Sequence, residues 1–205
     1  MKFSRLLDNI TLENWIVKGK LNMEPKFDLS ELPPDIAGRI TTVFEKTGFI
    51  PNVFVRLAAR PDEFRAFFSY HDALMEKDGG ISKSDREMIV VATSASNSCT
   101  YCVVAHGAVL RIRSKNKLLA DQVAVNYLHA DLTQKQKAML DFALKVTKNS
   151  HQVSQGDTDL LKEHGFSDDD VWDIVAITAF FGMSNRLANS LSIQPNQEFY
   201  AMGQR

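Results

Sequence analysis

The chain has 205 residues, 44% hydrophobic and 24% charged, which is enough to bury a sizeable core in one domain or two closely packed halves. Lys and Arg total 24 against 25 Asp and Glu, a formal net charge of -1, so global charge offers no reason to expect nucleic acid or an anionic membrane as partner. The N-terminal stretch MKFSRLLDNITLENW has no apolar run followed by a small-residue cleavage site, and no apolar stretch reaches the roughly 20 residues of a spanning helix, so a cytoplasmic protein is expected.

Residues 1–29 carry mixed signals and read as an arm that packs on the body or on a neighbouring subunit; a single all-helical domain is expected over 30–205. Ser30 with Pro33 and Pro34 marks a helix start, because proline lacks an N–H that the first turn leaves unpaired anyway. That helix runs through IAGRITTVFEKTGF. Pro51 and Pro61 punctuate two more segments, and Phe64, Phe67, Phe68, His71 and Leu74 recur at helical spacing before Asp78-Gly79-Gly80 ends the run.

Further helical patterns cover SKSDREMIVVATSAS, CTYCVVAHGAVLR, KNKLLADQVAVNYLHA, LTQKQKAMLDFALKVTK and SDDDVWDIVAITAFFGMSNRLANSL. No segment shows the period-two alternation of a strand, so the fold class is all-α. IVVATSAS from Ile89 echoes IVAITAFF from Ile174, a candidate duplicated helical unit. Only the first copy is followed by cysteine and histidine.

The two cysteines are nearly adjacent, which rules out a long-range disulfide framework and points to a local use, redox or metal binding. On a helix, Cys99 and Cys102 share one face with Cα atoms about 5 Å apart, within disulfide range. His106 falls on that face four residues later and can act as a base. This matters because a free thiol of ordinary pKa is only about 3% ionised at pH 7. Asn97 and Ser98 are N-cap candidates that put Cys99 in the first turn, where the helix dipole favours a thiolate; proximity to His106 favours Cys102 instead. The residues alone leave that choice open.

Glu87, Cys99, Cys102 and His106, at these intervals, resemble the catalytic segment of the AhpD-like alkylhydroperoxidases within the carboxymuconolactone decarboxylase superfamily. GFIPNVF from Gly48 and FFGMSNRLAN from Phe180 are similar to its peroxidase-related branch. The resemblance implies an AhpD-like helical fold, a catalytic segment at about 81–113, homo-oligomerisation, and reduction of hydroperoxides through a cysteine sulfenic acid. It implies Cys102 as the nucleophile, Cys99 as the resolving thiol, and His106 with Glu87 as the proton relay. A dithiol or lipoyl-linked partner is the implied reductant, and no cofactor or resident metal is called for. The family's best-known members carry a histidine immediately before the second cysteine, where this chain has Tyr101.

Plainer readings stand beside these. Two cysteines are often inert core thiols. Ser84-Asp85-Arg86-Glu87 reads as a capping box, which would occupy the glutamate. Trp172 and the phenylalanines on helical stripes read as core, and His71, His129, His151 and His164 as ordinary. Asp168-Asp169-Asp170 suits a helix N-terminus better than a metal. Competing functions are a zinc site built from the thiolates, imidazole and carboxylate, a redox-sensing helical module, and a decarboxylase-type lyase of the same superfamily.

Overall fold

Proline and glycine set the limits of the first helices. In the computed structural model, which describes residues 28–204, Pro33 and Pro34 open α1 (Pro34–Thr47), and Gly48 closes it at φ 80, a left-handed turn that favours glycine. Pro51 caps α2 (Asn52–Ala58), and Pro61 begins α3 (Pro61–Met75). The expected arm at 1–29 lies outside the described residues but for its last two, and a 3-10 turn follows at Leu29–Glu31.

The chain divides into two compact units at Phe67/Phe68. In the first, Phe54 meets Phe64 edge-on with ring centroids 5.7 Å apart. The Arg65 guanidinium grips both carboxylate oxygens of Asp35 at 2.7 and 2.9 Å, tying α3 to the first turn of α1.

The second unit holds the end of α3 and then α4 (Lys83–Ser96), α5 (Thr100–Ser114), α6 (Leu119–Asn126), α7 (Gln134–Asn149), α8 (Gln155–Glu163), α9 (Asp168–Ser190) and the short α10 (Glu198–Ala201). Among the described residues there are ten α-helices and no strand, as the sequence patterns predict. Also among them, no helix is long and apolar enough to cross a membrane.

At the centre is α4. Every residue from Arg86 to Ser94 is buried, and the helix packs against α5, α6, α7 and α9, so all of its faces are covered. Its capping frame differs from the sequence expectation: Ser82, not Ser84, is the N-cap, and its hydroxyl accepts the N–H of Asp85. The shift of two residues releases Glu87 from the helix start and sends it into the interior. Gly80, just upstream, is required by space, because a Cβ there would come within 2.4 Å of the Asp170 carboxylate.

The two echoing helices begin alike. Ser82 caps α4 with Asp85 at N3, and Ser167 caps α9 with Asp170 at N3. In both, a threonine hydroxyl bonds back to the carbonyl of the opening isoleucine, Thr93 to Ile89 at 2.8 Å and Thr178 to Ile174 at 2.7 Å. The acidic run Asp168-Asp169-Asp170 sits in the first turn of α9, as expected. Trp172 is the correction on this helix: it is 72% exposed, on the outward side, and not core.

What fastens α4 to α9 is an ion pair. Arg86 is 0% exposed, and its guanidinium donates to Asp173 Oδ2 at 2.7 Å, to the Leu74 carbonyl at 2.8 Å and to the Ile81 carbonyl at 3.3 Å. Lys77 reaches the other Asp173 oxygen at 2.6 Å from the rim. One guanidinium thus joins the end of α3, the approach to α4 and the second turn of α9. Removing one member strands a charge in a dry interior, so Asp173→Ala is expected to lower unfolding free energy by roughly 3–5 kcal/mol in denaturant titrations. A loss under about 1 kcal/mol, the range of an exposed pair, would contradict this account.

Candidate active site

The turn between α4 and α5 brings the cysteines into position. Asn97 closes α4 as its C-cap, and Ser98 takes a left-handed conformation at φ 54, costly for a residue with a Cβ. The chain then turns, and Cys99 donates its backbone N–H to the Ser94 carbonyl at 2.9 Å. Cys99 itself is the N-cap of α5, which corrects the expectation that Asn97 or Ser98 plays that part. Its sulfur accepts the N–H of Cys102 at 3.5 Å, as a serine or aspartate oxygen would at this position.

Both cysteines are free and buried, each 1% exposed. They differ in charge preference. The Cys102 thiol donating to Cys99 is the largest influence holding the Cys99 thiol down, to about 7 from an ordinary 9.0; burial opposes it, and the Cys102 N–H, the Asn185 amide and the positive side of His106 assist. Cys102 is pushed up, first by being that donor, then by burial and by the negative charge on Cys99. Of the two, the N-cap sulfur is therefore the more readily ionised.

His106 lies one turn beyond Cys102, with its side chain 16% exposed. Its Nδ1 is 2.7 Å from Glu87 Oε2. A carboxylate only accepts, so Nδ1 carries the proton and Nε2 keeps its lone pair while the ring is neutral. The other Glu87 oxygen faces Arg113 at 3.4 Å. Arg113 is itself held by the carbonyls of Met75 and Lys83 and by the Glu76 carboxylate. The structure thus joins two of the four residues singled out in the sequence, Glu87 and His106, directly and braces them with Arg113, while Cys99 and Cys102 meet at the helix start and His106 acts on Cys99 through its charge.

Several neighbours escaped sequence reasoning. His71 on α3 stands 6.2 Å from the His106 ring, with its Nδ1 3.1 Å from Asp72, so it is not an ordinary surface histidine. Phe181 lies edge-on to His106 at 4.7 Å. Ser184 approaches the Cys102 sulfur, Oγ to Sγ 4.0 Å. The signal for His71 was its place on the Phe64–Leu74 apolar stripe, and for Ser184 the branch-specific FFGMSNRLAN segment. Tyr101, at the position of the family's extra histidine, is buried against Phe199 at 6.4 Å. His129 and His151 are exposed and outside the site. Among the described residues, no three His, Cys, Asp or Glu side chains converge as a metal-binding group, so the zinc reading finds no donor set there.

A lowered thiol pKa means the thiolate fraction grows as pH rises through about 7, where an ordinary cysteine is still protonated. The ultraviolet thiolate absorbance of the reduced protein should show its first step near that pH. Cys102→Ala removes the strongest donor to Cys99, and the step should move upward, toward the ordinary 9.0. An unmoved step in this variant would refute that account of the Cys99 thiol.

Comparison with known proteins agrees with this geometry. Residues 61–124 match the model of the Carboxymuconolactone decarboxylase family. The structure is similar to that of an alkylhydroperoxidase AhpD core, a peroxidase-related protein from Ralstonia eutropha JMP134, with 65% identity and a TM-score of 0.86, covering 87% of this chain and 94% of that one. It is also similar to a peroxidase-related protein from Silicibacter sp. TM1040, at 36% identity and a TM-score of 0.83, covering 91% and 99%. Sestrin-2 of Homo sapiens is 32% identical over 62 residues, 30% of this chain; the chain spans only 13% of the length of that curated relative. From the family match, the two structural likenesses and the helical fold, the chain belongs to the peroxidase-related branch of the AhpD-like proteins in the carboxymuconolactone decarboxylase superfamily.

Proposed function

We propose that the protein is a thiol-dependent peroxidase that reduces hydroperoxides through Cys99 and Cys102. The observation that carries this reading is the pair of free cysteines at the N-cap and third position of one helix, one turn before an imidazole whose Nδ1 is fixed by a buried carboxylate. Two inert core thiols would have no use for that arrangement. Membership of a peroxidase-related branch points the same way.

In this reading Cys102 is the nucleophile and Cys99 the resolving thiol. Cys102 loses its proton toward the Cys99 thiolate as its sulfur attacks the terminal peroxide oxygen; an S–O bond forms, the O–O bond breaks, and the departing alkoxide takes up that proton as alcohol. The Cys99 thiolate then displaces hydroxide from the Cys102 sulfenic acid, forming the disulfide; His106, having first taken a solvent proton on Nε2, gives that proton to the hydroxide to make water and returns to its neutral tautomer. A dithiol, free or lipoyl-linked, reopens the disulfide and is itself oxidised. Glu87 keeps the imidazole in the tautomer that presents Nε2 to this chemistry. We carry a homo-oligomeric, cytoplasmic protein as part of the same proposal.

The test is hydroperoxide consumption in the presence of dithiothreitol or dihydrolipoamide, with mass spectrometry of the product. The expected result is turnover together with a Cys99–Cys102 disulfide; Cys102→Ser should abolish it, and full activity in that variant would sink the assignment. His106→Asn is expected to slow turnover roughly 10²- to 10⁴-fold, the usual worth of a positioned acid–base group. A rate within twofold of the parent would remove His106 from the mechanism.

A further inference from the structure

On another side of α5 from the cysteines and His106, Val103, Val104, Gly107 and Arg111 recur at helical spacing and line a cavity of about 220 Å³. Ala120 and Asp121 of α6 face the same space, and the C-terminal segment completes its lining. The thiol chemistry uses none of these residues.

Arg111 sets the character of the cavity. It is 6% exposed, and two of its nitrogens hold the C-terminal segment: Nε donates to the Met202 carbonyl at 2.9 Å and Nη2 to the Phe199 carbonyl at 2.8 Å. Its third nitrogen, Nη1, has no hydrogen-bond partner among the described residues, nor does any carboxylate among them pair with this guanidinium. Arg86, the other buried arginine, has Asp173. Carbonyls solvate a cation without neutralising it, so the Arg111 charge lacks the counter-ion that a buried guanidinium ordinarily has. Nη1 lies on the side of the cavity that Gly107 keeps open: a Cβ on Gly107 would stand 3.8 Å from Nη1 and 3.5 Å from the Ala120 Cβ.

Size and lining narrow the ligand. The volume falls short of the roughly 300 Å³ at which pockets for drug-sized molecules begin. Val103, Val104 and Ala120 offer an apolar surface, and Nη1 offers a charged donor that suits a carboxylate oxygen. Asp121 is exposed and negative, which disfavours a ligand carrying a second negative charge and so sets phosphate apart from a monocarboxylate.

We propose that this cavity binds a short aliphatic monocarboxylate, whose oxygen accepts from Arg111 Nη1 while its alkyl part lies on Val103, Val104 and Ala120. The site is separate from the dithiol and stands whether or not the protein consumes peroxide.

The experiment is isothermal titration calorimetry of the full-length protein with butanoate at constant ionic strength, with inorganic phosphate as the comparison. Butanoate is expected to bind saturably, with a Kd on the order of 1 mM or tighter, and phosphate at least about tenfold more weakly. Gly107→Ala sets a methyl beside Nη1 at ordinary contact distance and suits a helix, so it is expected to fold and to weaken butanoate about tenfold. Asp121→Asn removes the like charge and is expected to tighten butanoate about two- to threefold. Absence of saturable butanoate binding, phosphate binding as tightly as butanoate, or unchanged affinity in Gly107→Ala would each overturn the proposal. Circular dichroism checks each variant; should Gly107→Ala not fold, unchanged affinity in Asp121→Asn overturns it instead.

Discussion

Two consecutive charged residues, buried in one turn of α4, set the terms for the rest of the second unit. Arg86 points to Asp173 on α9 and Glu87 to His106 on α5. Neither charge is tolerable in a dry interior without its partner, so the helices that supply the partners are held in rotation as well as position. An apolar contact could slide by a rotamer; a guanidinium bonded to a carboxylate and two carbonyls cannot. The register of α9, and with it the approach of Ser184 to the Cys102 sulfur and the bond of Asn185 to Ser94, is fixed at the same point that fastens the fold.

The dithiol sits where a helix begins, and that position shapes its chemistry more than the histidine does. At an N-cap, the sulfur faces the unpaired amides of the first turn and accepts one of them. The nearby imidazole adds a smaller influence on Cys99 than the Cys102 thiol or the backbone. Cys99 is thus the more readily ionised sulfur while the family resemblance assigns attack to Cys102, and the two statements are compatible because a proton can pass between the sulfurs. Moving it a short way exchanges which sulfur is the thiolate.

Much of this was readable from the residues. Pro34, Pro61, Thr133 with Gln136, and Ser167 with Asp170 open helices as their side chains dictate. The shared helix face of Cys99, Cys102 and His106 followed from their intervals, whereas Glu87 by spacing alone read as part of a capping box and entered the set only through the family resemblance. What was hidden depends on the third dimension. Thiols are seldom considered as caps, so Ser98 and Asn97 drew the N-cap assignment away from Cys99. Two serines near the start of α4 offered two frames, and only the burial of Glu87 selects Ser82. Trp172 has the composition of a core residue on a helix whose apolar surface exceeds what its neighbours cover. His71 is far from the site in sequence, and α8 contains too few apolar residues, Leu160 and Leu161 chief among them, to announce itself by periodicity.

The α5 helix carries Cys99 as its cap, Cys102 in its first turn, His106 in its middle and Arg113 near its end. All four serve one side of it, over about four turns. An insertion or deletion of a single residue between Cys102 and Arg113 would swing everything downstream by about 100° and aim the brace away from Glu87. The same change in the connection from Lys115 to Leu118 would leave the whole set untouched. Evolution can lengthen this protein between its helices, but inside this one only substitution is open to it.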